Sequence, residues 1–210
     1  MAMRTVARTA KSVVRRRARV ALAAVPVAVA LLATAAGPVP AAAAPGGVPD
    51  VVAREAYFLP PEVAEPGDGL TYDQALVPAG AGIAVMEVAS GGTMSVRLAL
   101  TGLLPDRTYG AHVHARPCGG APDGAGPHYQ NEPDPVQPSV DPAFANPGNE
   151  VWLDFTTDGR GSALATARQD WRFRPGEARS IVVHEHATST HPGEAGTAGA
   201  RLACLSVPFE

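Results

Sequence analysis

His112 and His114 stand two residues apart in Ala111-His112-Val113-His114-Ala115. On a β-strand alternate side chains share a face, so both imidazoles point the same way. The preceding Thr108-Tyr109-Gly110-Ala111 is compatible with a strand and lacks a helical period. Two imidazoles on one strand face can seat a transition metal, and nitrogen ligands suit copper and zinc. The pair reads equally as hydrogen-bonded surface or core histidines. The sequence holds 6 histidines in all. His128 sits on the turn Gly126-Pro127-His128-Tyr129, and His184 ends the apolar run Ile181-Val182-Val183-His184. His112, His114, His128 and His184 could supply four nitrogens to one copper ion. His186 and His191 follow in a polar loop, as solvated residues or as ligands of a second metal.

Short strands must carry these side chains. Thr71–Val77, Gly82–Ala89, Thr93–Leu100, Tyr109–His114, Val151–Thr157, Ala163–Gln169, Ser180–Glu185 and Arg201–Val207 are short runs with β-branched or alternating apolar residues. Turn signals such as Ser90-Gly91-Gly92 and Asp158-Gly159-Arg160-Gly161 separate them. Residues 116–149 carry eight prolines and read as one long loop, since prolines do not sit in a sheet interior. A loop of that length in a compact domain is usually functional or disordered, and His128 within it suggests function. Eight short strands without a convincing helix predict an all-β antiparallel sandwich or barrel.

The N-terminus reads as an export signal. Residues 1–19 hold seven Lys and Arg and no acid, and an apolar stretch runs from Val20 to Ala36. Small residues follow at Ala41-Ala42-Ala43-Ala44. A membrane anchor is the competing reading, but the apolar run is short and Pro26 interrupts it. Residues 1–44 are therefore assigned to a cleaved signal, 45–69 to a Pro/Gly-rich flexible lead-in, and 70–210 to the folded domain. A short ordered piece is possible at Val51–Leu59. Beyond Ala44 the chain keeps 10 of its 17 Lys and Arg and all 20 acids, a net charge near −10. That excludes nucleic acid as a partner, because phosphate binding needs clustered positive charge. The two cysteines, Cys118 and Cys204, would more often bridge than stay free in an exported chain, with two buried thiols as the alternative.

Four motifs in order then resemble the copper/zinc superoxide dismutase family. They are Gly110-Ala111-His112-Val113-His114, Ala125-Gly126-Pro127-His128-Tyr129, Val182-Val183-His184-Glu185 and Gly199-Ala200-Arg201-Leu202-Ala203-Cys204. Their order and rough spacing match over about residues 70–207. The resemblance implies an eight-stranded Greek-key β-barrel with long metal-site loops. It implies that His112, His114, His128 and His184 are copper ligands and that Cys118–Cys204 is the family disulfide. Arg201 would attract and orient superoxide beside the copper. His128 would be the bridging histidine, which detaches from Cu(I) and carries a proton. The activity implied is dismutation of superoxide to O2 and H2O2.

The chain departs from the family at the zinc site. Between Tyr129 and Val183 it has no histidine, so two nitrogen ligands of a family-type zinc site are missing. The expectation is a copper-only, exported member, with a carboxylate, Glu150 or Glu185, on the second nitrogen of His128. A non-enzymatic exported copper-binding or copper-buffering protein is the competing function. It would need the four histidines but not Arg201.

Overall fold

A computed structural model describes residues 48–210. The segment read as an export signal, residues 1–44, lies outside the described residues. Strict alternation of buried residues with half-buried or exposed ones builds β3 (Gly82–Ser90) and β4 (Thr93–Thr101). Ile83, Val85 and Ala89 on the first, and Met94, Val96, Leu98 and Leu100 on the second, face the core. Gly91, at φ +60°, turns one strand into the other, a conformation an L side chain resists. β1 (Asp50–Leu59) pairs antiparallel with β3 along eight residues, and β7 (Ala163–Gln169) pairs with β4.

The second half contains β2 (Gly69–Thr71), β5 (Thr108–His114), β6 (Phe155–Thr156), β8 (Ser180–His184) and β9 (Arg201–Ser206). The strand order through the whole sheet is β6-β5-β8-β9-β2-β1-β3-β4-β7. The nearly closed sheet wraps one apolar core, in which Phe58, Leu98, Tyr109, Ile181 and Leu205 are fully buried. Among the described residues the only helical element is the 3-10 turn Pro122–Ala125, and no helix is long and apolar enough to cross a membrane.

The β-barrel expected from the sequence is present, with differences in its strands. There are nine rather than eight, and β1 and β2 run parallel where all pairs were expected antiparallel. The Pro/Gly-rich stretch 45–69 holds the ten-residue strand β1, because Val52, Ala56 and Phe58 pack on the core before Pro60-Pro61 ends the strand. The expected strand Thr71–Val77 stops at Thr71. The Asp73 carboxylate accepts hydrogen bonds from the amides of Ala75 and Leu76 and curls the chain into a turn. Val151–Thr157 is a strand only at Phe155–Thr156, with Trp152 forming a single bridge to His112.

Cys118 and Cys204 form a disulfide that fastens the long loop to β9. The Tyr72 hydroxyl donates to the Gly119 carbonyl (2.7 Å), and the Cys118 amide donates to Ser206 Oγ (3.0 Å), so three contacts hold the same stretch. Closing an 86-residue loop restricts the unfolded chain strongly. Replacing both cysteines by serine is expected to lower the unfolding free energy by about 4–5 kcal/mol. Urea unfolding of the two proteins measures this, and a loss below about 1 kcal/mol would contradict it.

Candidate metal centre

The pleat of β5 sorts its side chains. Tyr109, Ala111 and Val113 enter the barrel core, whereas His112 and His114 face outward and are nevertheless fully buried. Two loops cover them. Residues 127–129 run beside β5, where the Ala115 amide donates to the Pro127 carbonyl and the Tyr129 amide to the Val113 carbonyl. That pairing sets His128 opposite His114. Residues 185–200 lie over the N-terminal end of the strand, and a Cβ on Gly110 would meet the His186 carbonyl at 2.5 Å. Only glycine permits that approach. On the other side β8 pairs with β5, and a bulge between Val183 and His184 sets His184 opposite Arg201.

The four imidazoles converge. One ligand nitrogen from each of His112, His114, His128 and His184 lies within 4.8 Å of all the others. Among the described residues no other group of three or more potential metal ligands assembles. The second nitrogens decide which atoms are free. His114 Nδ1 donates to the Gly126 carbonyl (3.0 Å), leaving Nε2. His128 Nδ1 donates to Glu150 Oε2 (2.8 Å), again leaving Nε2. His112 Nε2 lies 2.7 Å from Thr188 Oγ1, which in turn donates to Asp154 Oδ1 (2.7 Å). His112 Nδ1 is then a buried nitrogen with no partner. His184 Nε2 sits 3.3 Å from His114 Nε2. Two buried ring nitrogens without a partner, His112 Nδ1 and His184 Nδ1, are unfavourable, and a cation held at His112 Nδ1 relieves one of them. The donor set therefore fits a nitrogen-preferring transition ion such as copper.

Electrostatics point the same way. Burial, and then the neighbouring imidazoles, hold His112 and His114 well below the usual histidine range. Burial, His128 and Arg201 push His184 down to about 3. These three rings are neutral at neutral pH, the state a metal ligand requires.

Arg201 lines the mouth of the site with His128 and His184, in a cavity of about 230 Å3 that Gln137, Val140 and Thr197 also border. Its Nη1 donates to the Pro122 carbonyl (3.2 Å) and lies 3.9 Å from Asp123. Glu150 is fully buried and accepts three hydrogen bonds. Oε2 takes His128 Nδ1–H and the Trp152 indole N–H (2.7 Å), and Oε1 takes the Gln130 amide (2.8 Å). Of the two carboxylates expected at His128, the structure brings Glu150 and not Glu185, whose Oε2 lies near the Ala200 amide and His186. His186 is exposed in the covering loop, and neither it nor His191 joins the cluster. Thr188, Gln130 and Trp152 had no signal in the sequence, because their contacts depend on how the loops fold over β5.

The family model for copper/zinc superoxide dismutase (SODC) matches residues 81–207. The chain belongs to the copper/zinc superoxide dismutase family. Among solved structures it is similar to the clock protein EA4, at 24% identity over 62% of this chain and 88% of that one, with a TM-score of 0.47. It is also similar to the Cu/Zn superoxide dismutase from Brucella abortus, at 22% identity over 77% of this chain and 99% of that one, with a TM-score of 0.48. No curated protein sequence matches the chain.

Two outcomes follow for this member of the dismutase family. Glu150→Ala leaves His128 Nδ1 and the buried Gln130 amide without their acceptor, and is expected to weaken copper binding about 10–100-fold. Chelator competition measures it, and an unchanged affinity would contradict the positioning role. The metal-free protein should also be acid-sensitive. The ordinary histidine value is 6.5, and the folded-state values lie below it. On acidification the unfolded chain therefore takes up protons first. Stability is full above about pH 6.5 and falls towards about pH 3, by up to about 1.4 kcal/mol per pH unit for each histidine. Denaturant titrations of the metal-free protein across that range test this, and a flat profile would refute it.

Proposed function

We propose that the chain is an exported, copper-only superoxide dismutase. The observation that carries the reading is the convergence of four histidines, three of them buried and two, His112 and His184, with an orphaned Nδ1, in a member of this family. His112 would bind through Nδ1, and His114, His128 and His184 through Nε2. Bound copper supplies the one-electron chemistry that takes one superoxide to O2 and the next to H2O2.

The residues around it do the rest. Arg201 presents a guanidinium, 22% exposed, at the mouth of the site, beside a domain of net negative charge. Local positive charge draws a small anion in even where the global field opposes it. Desolvation lowers the affinity of Arg201 for its proton, though arginine stays cationic. His128 keeps its Nδ1–H on Glu150 and can take and release a proton at Nε2, so the ring holds its orientation while its charge changes. Glu150, with Gln130 and Trp152 donating to it, occupies the nitrogen that would otherwise face a zinc ion. On this reading zinc is not a resident metal. The basic and apolar segments of residues 1–36, followed by small residues, support export, and the Cys118–Cys204 disulfide fits an oxidising compartment.

Metal content and superoxide dismutation measured on one copper-loaded, disulfide-bonded preparation test the proposal. The expected result is one copper per chain, no zinc surviving dialysis, and fast dismutation. Arg201→Ala should lower turnover about tenfold at low ionic strength and leave copper affinity nearly unchanged. Negligible dismutation by the copper-loaded protein would favour a copper-holding role instead.

A further inference from the structure

The cavity at His128 and Arg201 has two walls, residues 137–140 on one side and 196–199 on the other. The first wall is folded on itself. The Asp134 carboxylate accepts the Val136 amide (2.8 Å) and the Ser139 hydroxyl (2.6 Å), and the Asp134 carbonyl accepts Gln137 Nε2–H (3.2 Å). Packing does little to hold this wall in place, since residues 135–138 are exposed, Val136 at 70%. Its polar attachment is narrow. Among the described residues, every hydrogen bond that leaves 133–140 ends on one atom, Gln130 Oε1. That oxygen accepts from the Asp134 amide (2.9 Å) and from Gln137 Nε2 (3.3 Å).

Gln130 is itself buried and firmly seated. Its backbone pairs with Glu150, and its carbonyl accepts Arg174 Nη2–H (3.0 Å). Its Nε2 donates to Glu150 Oε1 (2.8 Å), and Glu150 Oε2 holds His128 Nδ1–H. The carboxamide has one allowed orientation. Turned over, it would set its amino group against the Asp134 amide and Gln137 Nε2, and its oxygen against the Glu150 carboxylate. One planar group therefore fixes both the wall of the mouth and the carboxylate that aims His128. The space so bounded is about 230 Å3. A diatomic anion takes about the room of a water molecule, about 30 Å3. A multidentate chelator is comparable in size with the whole cavity.

We propose that Gln130 is a positioning residue that ties the width of the mouth to the orientation of His128, and that the wall it holds selects small anions over large ones. The inference rests on the copper site proposed above, but not on turnover. Copper removal from the copper-loaded, disulfide-bonded protein tests it, with EDTA as the large probe and cyanide as the small one. Gln137→Ala cuts one tie of the wall and spares the bond between Gln130 and Glu150. It should raise the EDTA rate about fivefold relative to the cyanide rate and leave the electron paramagnetic resonance of Cu(II) unchanged. Gln130→Leu cuts both arms. It should raise the same ratio at least about tenfold and shift the resonance, because Glu150 loses a donor and His128 its fixed seat. General loosening of the fold would speed both reagents together and leave the ratio alone. A wild-type ratio in Gln137→Ala, or an unshifted resonance in Gln130→Leu, would overturn the inference. Both readouts need bound copper and no catalysis. A protein that holds copper without dismuting superoxide would therefore fail the reading above while these ratios still decide the role of Gln130.

Discussion

Four imidazole rings are packed together where none of three can readily hold an extra proton, and the rest of the site is arranged around that constraint. His112 and His114 are fully buried, and His114 and His184 bring ring nitrogens to 3.3 Å. Protonation would place like charges in contact away from water, and neutrality leaves the buried Nδ1 of His112 without a partner. A soft cation resolves both problems at once. The barrel contributes rigidity. β5 and β8 present three of the rings from hydrogen-bonded strands, and the fourth comes from a loop pinned to the edge of β5.

Each of three rings is aimed by a different kind of partner. A backbone carbonyl fixes His114, a hydroxyl backed by Asp154 fixes His112, and a carboxylate fixes His128. The carbonyl and hydroxyl are neutral acceptors, while Glu150 carries charge. The ring whose proton load would change in turnover is therefore the one placed directly against a negative group. That division fits the roles proposed for the rings.

Much of this was legible in the chain. The one-residue spacing between His112 and His114 dictates a shared strand face, and the apolar run before His184 identifies a strand end. Glu150 was visible as one of two carboxylates, but only three-dimensional packing chooses it over Glu185. Thr188 and Trp152 were silent because their partners lie 76 and 2 residues away in arrangements no periodicity encodes. β1 was legible only as a short ordered piece at Val51–Leu59, because Pro and Gly surround it, although its alternate residues Val52, Ala56 and Phe58 carry the period of a strand. Residues 151–154 look like a strand and pair only singly, because the chain there must deliver Glu150 to His128 on one side and Asp154 to Thr188 on the other.

The support beneath His128 consists wholly of side chains: Glu150, with Gln130 and Trp152 bonded to it. Such a support is inherited with the polypeptide. It does not have to be captured from the surroundings, and it forms whenever the loop closes on β5. Under the copper-only reading proposed above, maturation of this site would depend on the supply of one element where metals are scarce or contested.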